Sequence, residues 1–495
     1  MKKVFPFILF IVIAFSSYSQ ISKKEDSGDY DLSAPDTIIF IPKRPALAAS
    51  EIFAVNTGVW AFDRYIVDGH YAYISLHSMK RNLRKGFYWD NDNFQTNLFN
   101  HPYHGSIYFN SARANGMSFL QSGLFTLGGS FMWEIFMECE LPSTNDLIAT
   151  PVGGMAFGEV LYRISDFVVD HRTAGIHRFG NELLGLILSP GRSLTRILTG
   201  EAWKVSPYSR KQFAPADVSF EVSTGIRIME LFEPESELLD ESVGGFLNFK
   251  LEYGDIYEES ERPFDYFQIH FGFNVQKKQP FIGNINLMGK LYGAKVWENK
   301  GHELHAGLFQ HLDYYDSDTL STGDTRKDTK TPFEVGTPAS VGIGVLYKWE
   351  NPSKGWKLHA GVHGNAIILG SSLSDYYRGN ERKYNWGSGL ALKYGIDISW
   401  KNRFLLEYQM NHNKIFTWRG YDPDPEKMDY RTLNVQGDKS QSYYNIMHIK
   451  LGWHFKKNLE IGYELYDYFR NTRYDYFPNV SSNTTDVRFV TTYRF

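Results

Sequence analysis

The chain has 495 residues, a formal charge of −4 and a single cysteine, Cys139. No basic stripe is present, so nucleic acid is excluded as a partner, and one cysteine rules out an internal disulfide. Aromatics are the outlier: 37 Phe, 32 Tyr and 11 Trp make 16% of the chain, which with 43 Gly suits a β-barrel with aromatic girdles.

Lys2 and Lys3 open a basic n-region, an apolar run follows from Val4, and Ser17-Tyr18-Ser19 closes it. Residues 1–19 read as a secretory signal peptide cleaved before Gln20, because the run is shorter than the ~20 residues of a membrane-spanning helix. Residues 20–44 are polar, then briefly extended, and form a loose periplasmic lead-in. Over residues 45–200 apolar positions recur at three and four, which predicts a helical module of five or six helices. Residues 201–216 are a linker.

From residue 217 to 495 the period changes to two. Leu459, Ile461, Tyr463 and Leu465 alternate with Glu460, Gly462, Glu464 and Tyr466. Leu390, Leu392, Tyr394, Ile396 and Ile398 alternate with Ala391, Lys393, Gly395 and Asp397. Apolar-out, polar-in alternation over about ten residues is what a transmembrane strand requires. About twelve segments show it, starting near Val218, Val243, Tyr266, Phe281, His302, Val335, Trp356, Trp386, Arg403, Tyr443, Leu459 and Thr485. Short connections such as Asn299-Lys300-Gly301 and Lys401-Asn402 alternate with long polar loops. The expected fold is therefore an α+β membrane protein, a helical module followed by an antiparallel outer-membrane barrel of about twelve strands. The chain ends with Phe489, Tyr493 and Phe495 at alternate positions, which resembles the signal read by the barrel-insertion machinery. An even strand count with a periplasmic C-terminus starts the first strand in the periplasm. The helical module is then expected beneath the barrel or as a plug in its lumen.

Within the module, His101 to Arg163 concentrates unusual chemistry. Twenty uncharged residues separate Arg113 from Glu134, the length of a membrane span, but half are polar or glycine. The stretch is expected to pack against protein, with Gly128, Gly129, Gly154 and Gly158 letting backbones approach closely. Ser143 and Asp146 form a capping-box-like start to a second helix. Glu134 and Glu138, four apart, are expected on one helix face; Glu159 and Arg163 form an i,i+4 pair. Ion pairs of Glu134 or Glu159 with Arg113 or Arg163 would lock the helices. The alternative is an acid/base site drawn from His104, Glu134, Glu138, Asp146 and Glu159. No imidazole sits at helical spacing from a carboxylate, and phosphate loops, zinc spacings and nucleophile elbows are absent, so neither metal nor cofactor is expected. Asp316-x-Asp318 and Asp422-x-Asp424 lie in expected outer loops without the glycine and glutamate of a calcium loop. His359, His363, His448 and His454 should face inward, but no serine is marked as a nucleophile.

At residues 101–200 the chain resembles a family of uncharacterised bacterial outer-membrane proteins defined by a helical domain of unknown function. The resemblance is carried by His101-Pro102, Gly105, Tyr108, Ala112-Arg113, Gly116, Ser130, Trp133-Glu134, Glu138, Pro142-Ser143, Asp146, Thr150-Pro151, Gly153-Gly154, Gly158-Glu159, Tyr162-Arg163 and Ser189-Pro190 with Arg192 and Arg196. It implies an outer-membrane or periplasmic setting and no reaction. The favoured function is a barrel whose helical module plugs or underlies it and binds or gates a lipid-like or small ligand. An envelope-lipid-modifying enzyme and a structural or assembly factor are the alternatives. The expected partners are outer-membrane lipids, the insertion machinery and that ligand.

Overall fold

The computed structural model describes residues 29–233, 238–320, 331–379, 381–421 and 433–495; the expected signal peptide and the Asp422-x-Asp424 pair lie outside the described residues. The chain divides into two compact units, residues 1–90 with 99–216, and residues 91–98 with 217–495.

The first unit has seven α-helices among the described residues: α1 (Pro45–Phe62), α2 (Leu76–Lys85), α3 (His101–Ala114), α4 (Phe119–Met132), α5 (Asp146–Val168), α6 (Gly175–Leu188) and α7 (Pro190–Leu198). Pro190 starts α7 at a position where its missing N–H costs nothing, which separates it from α6. The crossing of α3 over α5 is set by glycine. A Cβ on Gly105 would lie 1.9 Å from the Thr150 carbonyl oxygen, and one on Gly154 would lie 2.7 Å from the Gly105 Cα. Phe109 fills the space against Gly158, and Tyr108 that against Gly129. Gly128 departs from expectation: it is exposed, and a Cβ there would meet nothing within 4 Å. The helical period turns it away from the buried positions 126, 129 and 130.

Two further expectations change. The helix carrying Glu134 ends in a π-helical turn, Trp133–Met137, and Glu138 has extended backbone, so the two glutamates do not share a helix face. The lead-in is not loose over its described part. Arg172 donates to Asp36 and to the Ala34 carbonyl, Asp29 accepts the Ala174 N–H, and Ile38 bridges Lys211. Its short acidic side chains satisfy donors that the helix ends leave open.

The second unit is a closed antiparallel barrel of twelve strands, each paired with its sequence neighbour, with β1 closing on β12. The strands are β1 (Val218–Glu233), β2 (Leu238–Tyr253), β3 (Phe267–Val275), β4 (Ile282–Asn299), β5 (His302–Asp316), β6 (Glu334–Asn351), β7 (Trp356–Leu373), β8 (Tyr384–Trp400), β9 (Phe404–Thr417), β10 (Ser440–Lys456), β11 (Leu459–Tyr474) and β12 (Val480–Arg494). Lys401-Asn402 and Lys300-Gly301 take positive φ at both positions, the turn that matches strand twist in a two-residue hairpin. Alternation sorts the wall. On β12, Asp486, Arg488 and Thr492 are buried inside, while Phe489 and Tyr493 are exposed outside. Ile226, Ile343, Val362, Leu390, Leu451 and Ile461 continue the exposed apolar surface on other strands. A closed barrel that is apolar outside and charged inside is built for a bilayer, with no unpaired sheet edge. It is an outer-membrane β-barrel.

Residues 91–98 fold with the barrel. Phe94 lies 5.0 Å from Tyr314 and 5.3 Å from Tyr384, the Tyr377 hydroxyl donates to Asn91, and Asn97 donates to the Tyr384 hydroxyl. Tyr314 alternates with Asp313 and Tyr315, which line the lumen, so this short strap lies along the outward register.

Candidate functional sites

In the helical unit the charged residues fall into two settings. Glu159 is fully buried and held by both arginines: Arg113 forks onto it at 2.7 and 2.9 Å, and Arg163 donates at 3.1 Å. These charges hold its carboxyl below the usual range despite burial. Arg163 also lies 4.0 Å over Phe213. Asp166 continues the arrangement, paired to Arg192 at 2.6 Å. Glu134 lies elsewhere: its carboxylate accepts the Ser143 N–H at 2.7 Å, at the entry to α5.

Asp146 forms the second setting. Ser143 Oγ accepts the Asp146 N–H at 3.2 Å, so the serine half of the expected cap is present. The Asp146 carboxyl faces inward, 3.5 Å from His101 Nε2. Burial, with Asp90 and Glu134 nearby, raises its pKa well above the usual range, while burial lowers that of His101. Both shifts favour the uncharged forms and so work against an ion pair at this contact. His104 is packed against Tyr108 and Trp133, with burial pushing its pKa to about 3. An imidazole held that low is a poor proton acceptor at neutral pH.

Sequence reasoning passed over Glu51 and Asp90. Glu51 on α1 accepts from Thr195 Oγ1 at 2.7 Å and Asn115 Nδ2 at 2.9 Å, and burial raises its pKa to about 7. Its signal was a charge among Ala48, Ile52 and Phe53 in an apolar helical pattern. Asp90, in a turn-rich connector, accepts from Ser143 Oγ and Asn145 Nδ2. Nothing in its local sequence marks it.

The barrel lumen holds a cavity of about 670 Å³. Nine carboxylate residues line it (Asp217, Glu221, Glu252, Asp255, Asp313, Glu350, Asp397, Glu407 and Glu464) against four lysines (Lys250, Lys348, Lys393 and Lys450). Tyr266 donates to Glu252 at 2.9 Å, Arg494 Nε donates to Glu221 at 2.7 Å, and Lys393 pairs with Asp313. Of the four expected histidines, His359, His363 and His448 line the cavity, while His454 lies 3.3 Å from Glu460. His448 stacks on Tyr466 at 4.1 Å, and His363 meets His311 edge-on at 5.2 Å. Toward the chain termini, the loop after β2 brings Tyr257 between His305 and His359.

Toward the long loops an apolar cluster crosses the lumen. Met229 and Leu231 of β1 meet Tyr315, Val335, Ile367, Ala391, Ile415, Tyr444, Ile446 and Tyr468 from β5 to β11, with Leu320 and Phe333 from the β5–β6 loop. Phe333 stacks on Tyr468 at 4.0 Å. Tyr315 and Ile446 belong both to this cluster and to the cavity lining, so the cluster is the cavity's roof. Asp316 accepts the Tyr314 hydroxyl at 2.7 Å, and no group of three metal-ligating side chains occurs among the described residues.

Residues 86–191 match the model of a domain of unknown function, DUF3943. No curated protein sequence matches the chain. Among solved structures, an outer-membrane channel from Pseudomonas putida F1 is similar at 11% identity, covering 57% of this chain and 97% of its own, with a TM-score of 0.27. The NanC porin matches at 8% identity over 54% and 98% of the two chains, TM-score 0.23. The Pseudomonas putida toluene transporter TodX matches at 9% identity over 57% and 90%, TM-score 0.21.

Proposed function

We propose that the barrel admits a small polar solute, one bearing a positive charge, into its chamber and releases it when the apolar roof opens. The observation that carries this reading is the excess of nine carboxylates over four lysines around the lumen cavity, an excess that remains after Arg494 is paired to Glu221. In a low-dielectric wall such an excess focuses a negative potential that concentrates cations. The roof supplies the gate: apolar constrictions block ions by excluding water. A signal peptide cleaved before Gln20 and a C-terminal strand presenting Phe489, Tyr493 and Phe495 to the insertion machinery deliver the barrel to its membrane. Within the helical unit, the Arg113–Glu159–Arg163 cluster serves as a lock between helices rather than a reaction centre.

The test is ion selectivity in a salt gradient across a planar bilayer. A channel opened by Phe333→Ala should show a reversal potential favouring cations, and Glu407→Gln with Asp397→Asn should shift it toward zero. An anion-favouring potential would refute the charge argument.

A further inference from the structure

Two helices of the first unit are inside out. On α4 the buried positions are Phe119 and the small or polar Ser122, Gly123, Thr126, Gly129 and Ser130. The exposed large side chains are Leu120 (72%), Leu124 (70%), Leu127 and Phe131. At 100° per residue these four lie within about 60° of one another, a single stripe. On α2 the buried residues are Ser78 and Asn82, with Asn82 donating to the Glu138 carbonyl. Leu76 (77%) and Leu83 (60%), two turns apart, are exposed. Phe87, just past α2, meets Phe131 at 6.5 Å, which joins the two apolar faces. Tyr65, Ile66 and Val67, in the π-helical turn that follows α1, are also exposed, with Arg64 over Tyr73 at 3.5 Å.

A water-facing helix buries leucine and exposes serine and asparagine, and contiguous exposed apolar patches mark an interaction surface. The charge on this surface selects its partner. From Phe62 to Phe87 the sequence has five cationic side chains (Arg64, Lys80, Arg81, Arg84 and Lys85) against two acids, Asp63 and Asp68. Lys80 lies on the same side of α2 as Leu76 and Leu83, with Arg84 next to it. Leucines flanked by lysine and arginine suit a boundary where apolar chains meet anionic headgroups.

We infer that the face formed by α2, α4 and Phe87 binds an anionic lipid surface, with Leu76, Leu83, Leu120, Leu124 and Phe131 in the acyl region and Lys80, Arg84 and Lys85 at phosphate level. This goes beyond solute passage and does not depend on it. The surface holds the helical unit against the membrane and not free in solution.

Depth measurement on the full chain tests it. In a Cys139→Ser background, nitroxides placed by Leu124→Cys, Leu83→Cys and Lys204→Cys are compared in nanodiscs containing phosphatidylglycerol. Labels at 83 and 124 should show an oxygen-to-nickel-chelate collision ratio several-fold above that at 204. Replacing Lys80, Arg84 and Lys85 with Gln, or phosphatidylglycerol with phosphatidylcholine, should lower the ratio at 83. Chelate access at 124 equal to that at 204 would show a water-facing surface and overturn the inference. Exclusion of both oxygen and chelate at 83 and 124 would show a protein partner and overturn it as well.

Discussion

Glu159 and Glu51 are both buried glutamates in the helical unit, yet their neighbours set opposite consequences of titration. Glu159 meets two guanidiniums, and its folded pKa is lowered. Its stabilising contribution is present above the ordinary glutamate range and is lost as pH falls through the lowered folded value. Glu159→Ala leaves Arg113 and Arg163 without their carboxylate and should cost ~3–5 kcal/mol, read as a lower thermal midpoint in detergent. Glu51 meets hydroxyl and amide donors, which do not offset its desolvation, and its pKa rises from 4.5 to about 7. Its contribution is therefore full below pH 4.5 and is lost as pH rises through about 7. Glu51→Gln should flatten the pH dependence in that window and raise stability at pH 8, by up to ~3 kcal/mol. A variant that leaves the pH profile unchanged would contradict this assignment. The Glu159 cluster was partly legible, because an i,i+4 Glu–Arg pair in an apolar helix needs a reason. Choosing between Glu134 and Glu159 was not, since the π-helical turn that redirects Glu134 to the Ser143 N–H leaves no periodic trace.

At the scale of elements, the glycines of α3, α4 and α5 are not equivalent. Gly105→Ala should cost about 2–3 kcal/mol, because its Cβ meets the Thr150 carbonyl in a rigid helix backbone. Gly128→Ala should be neutral or stabilising by up to ~1 kcal/mol, since its site is open and alanine is the better helix former. Equal losses for the two, measured by thermal unfolding, would contradict the packing described. In sequence, Gly154 and Gly158 are marked by their spacing of four, which implies a close crossing, and Gly129 only by the cost of glycine inside a helix. Sequence spacing could not separate Gly128 from Gly129, since adjacent positions differ only by the 100° that decides which faces a neighbour. It also assigned the whole of α4 to protein packing. Only its small-residue side is buried, and the leucine stripe became visible once its exposure was known.

For the whole molecule, the barrel was the most legible part. Eleven hairpin connections and a period-two pattern over 279 residues leave few alternatives, and the expected strand starts fall close to the observed ones. The chamber and its roof were less so. Inward charges such as Glu407 and Lys450 alternate correctly in sequence, but which of them share a cavity depends on strand stagger. The roof draws on β1 and β5 to β11 together, a combination that no local pattern encodes. Gating as proposed requires the side chains of Leu320, Phe333 and Tyr468, with their neighbours in the apolar cluster, to close the lumen. Single-channel recording in planar bilayers tests it most directly. The full chain should be silent or conduct only in brief events, and Phe333→Ala combined with Leu320→Ala should open a sustained, cation-favouring conductance. A steady conductance in the unaltered chain that these substitutions leave unchanged would contradict the account.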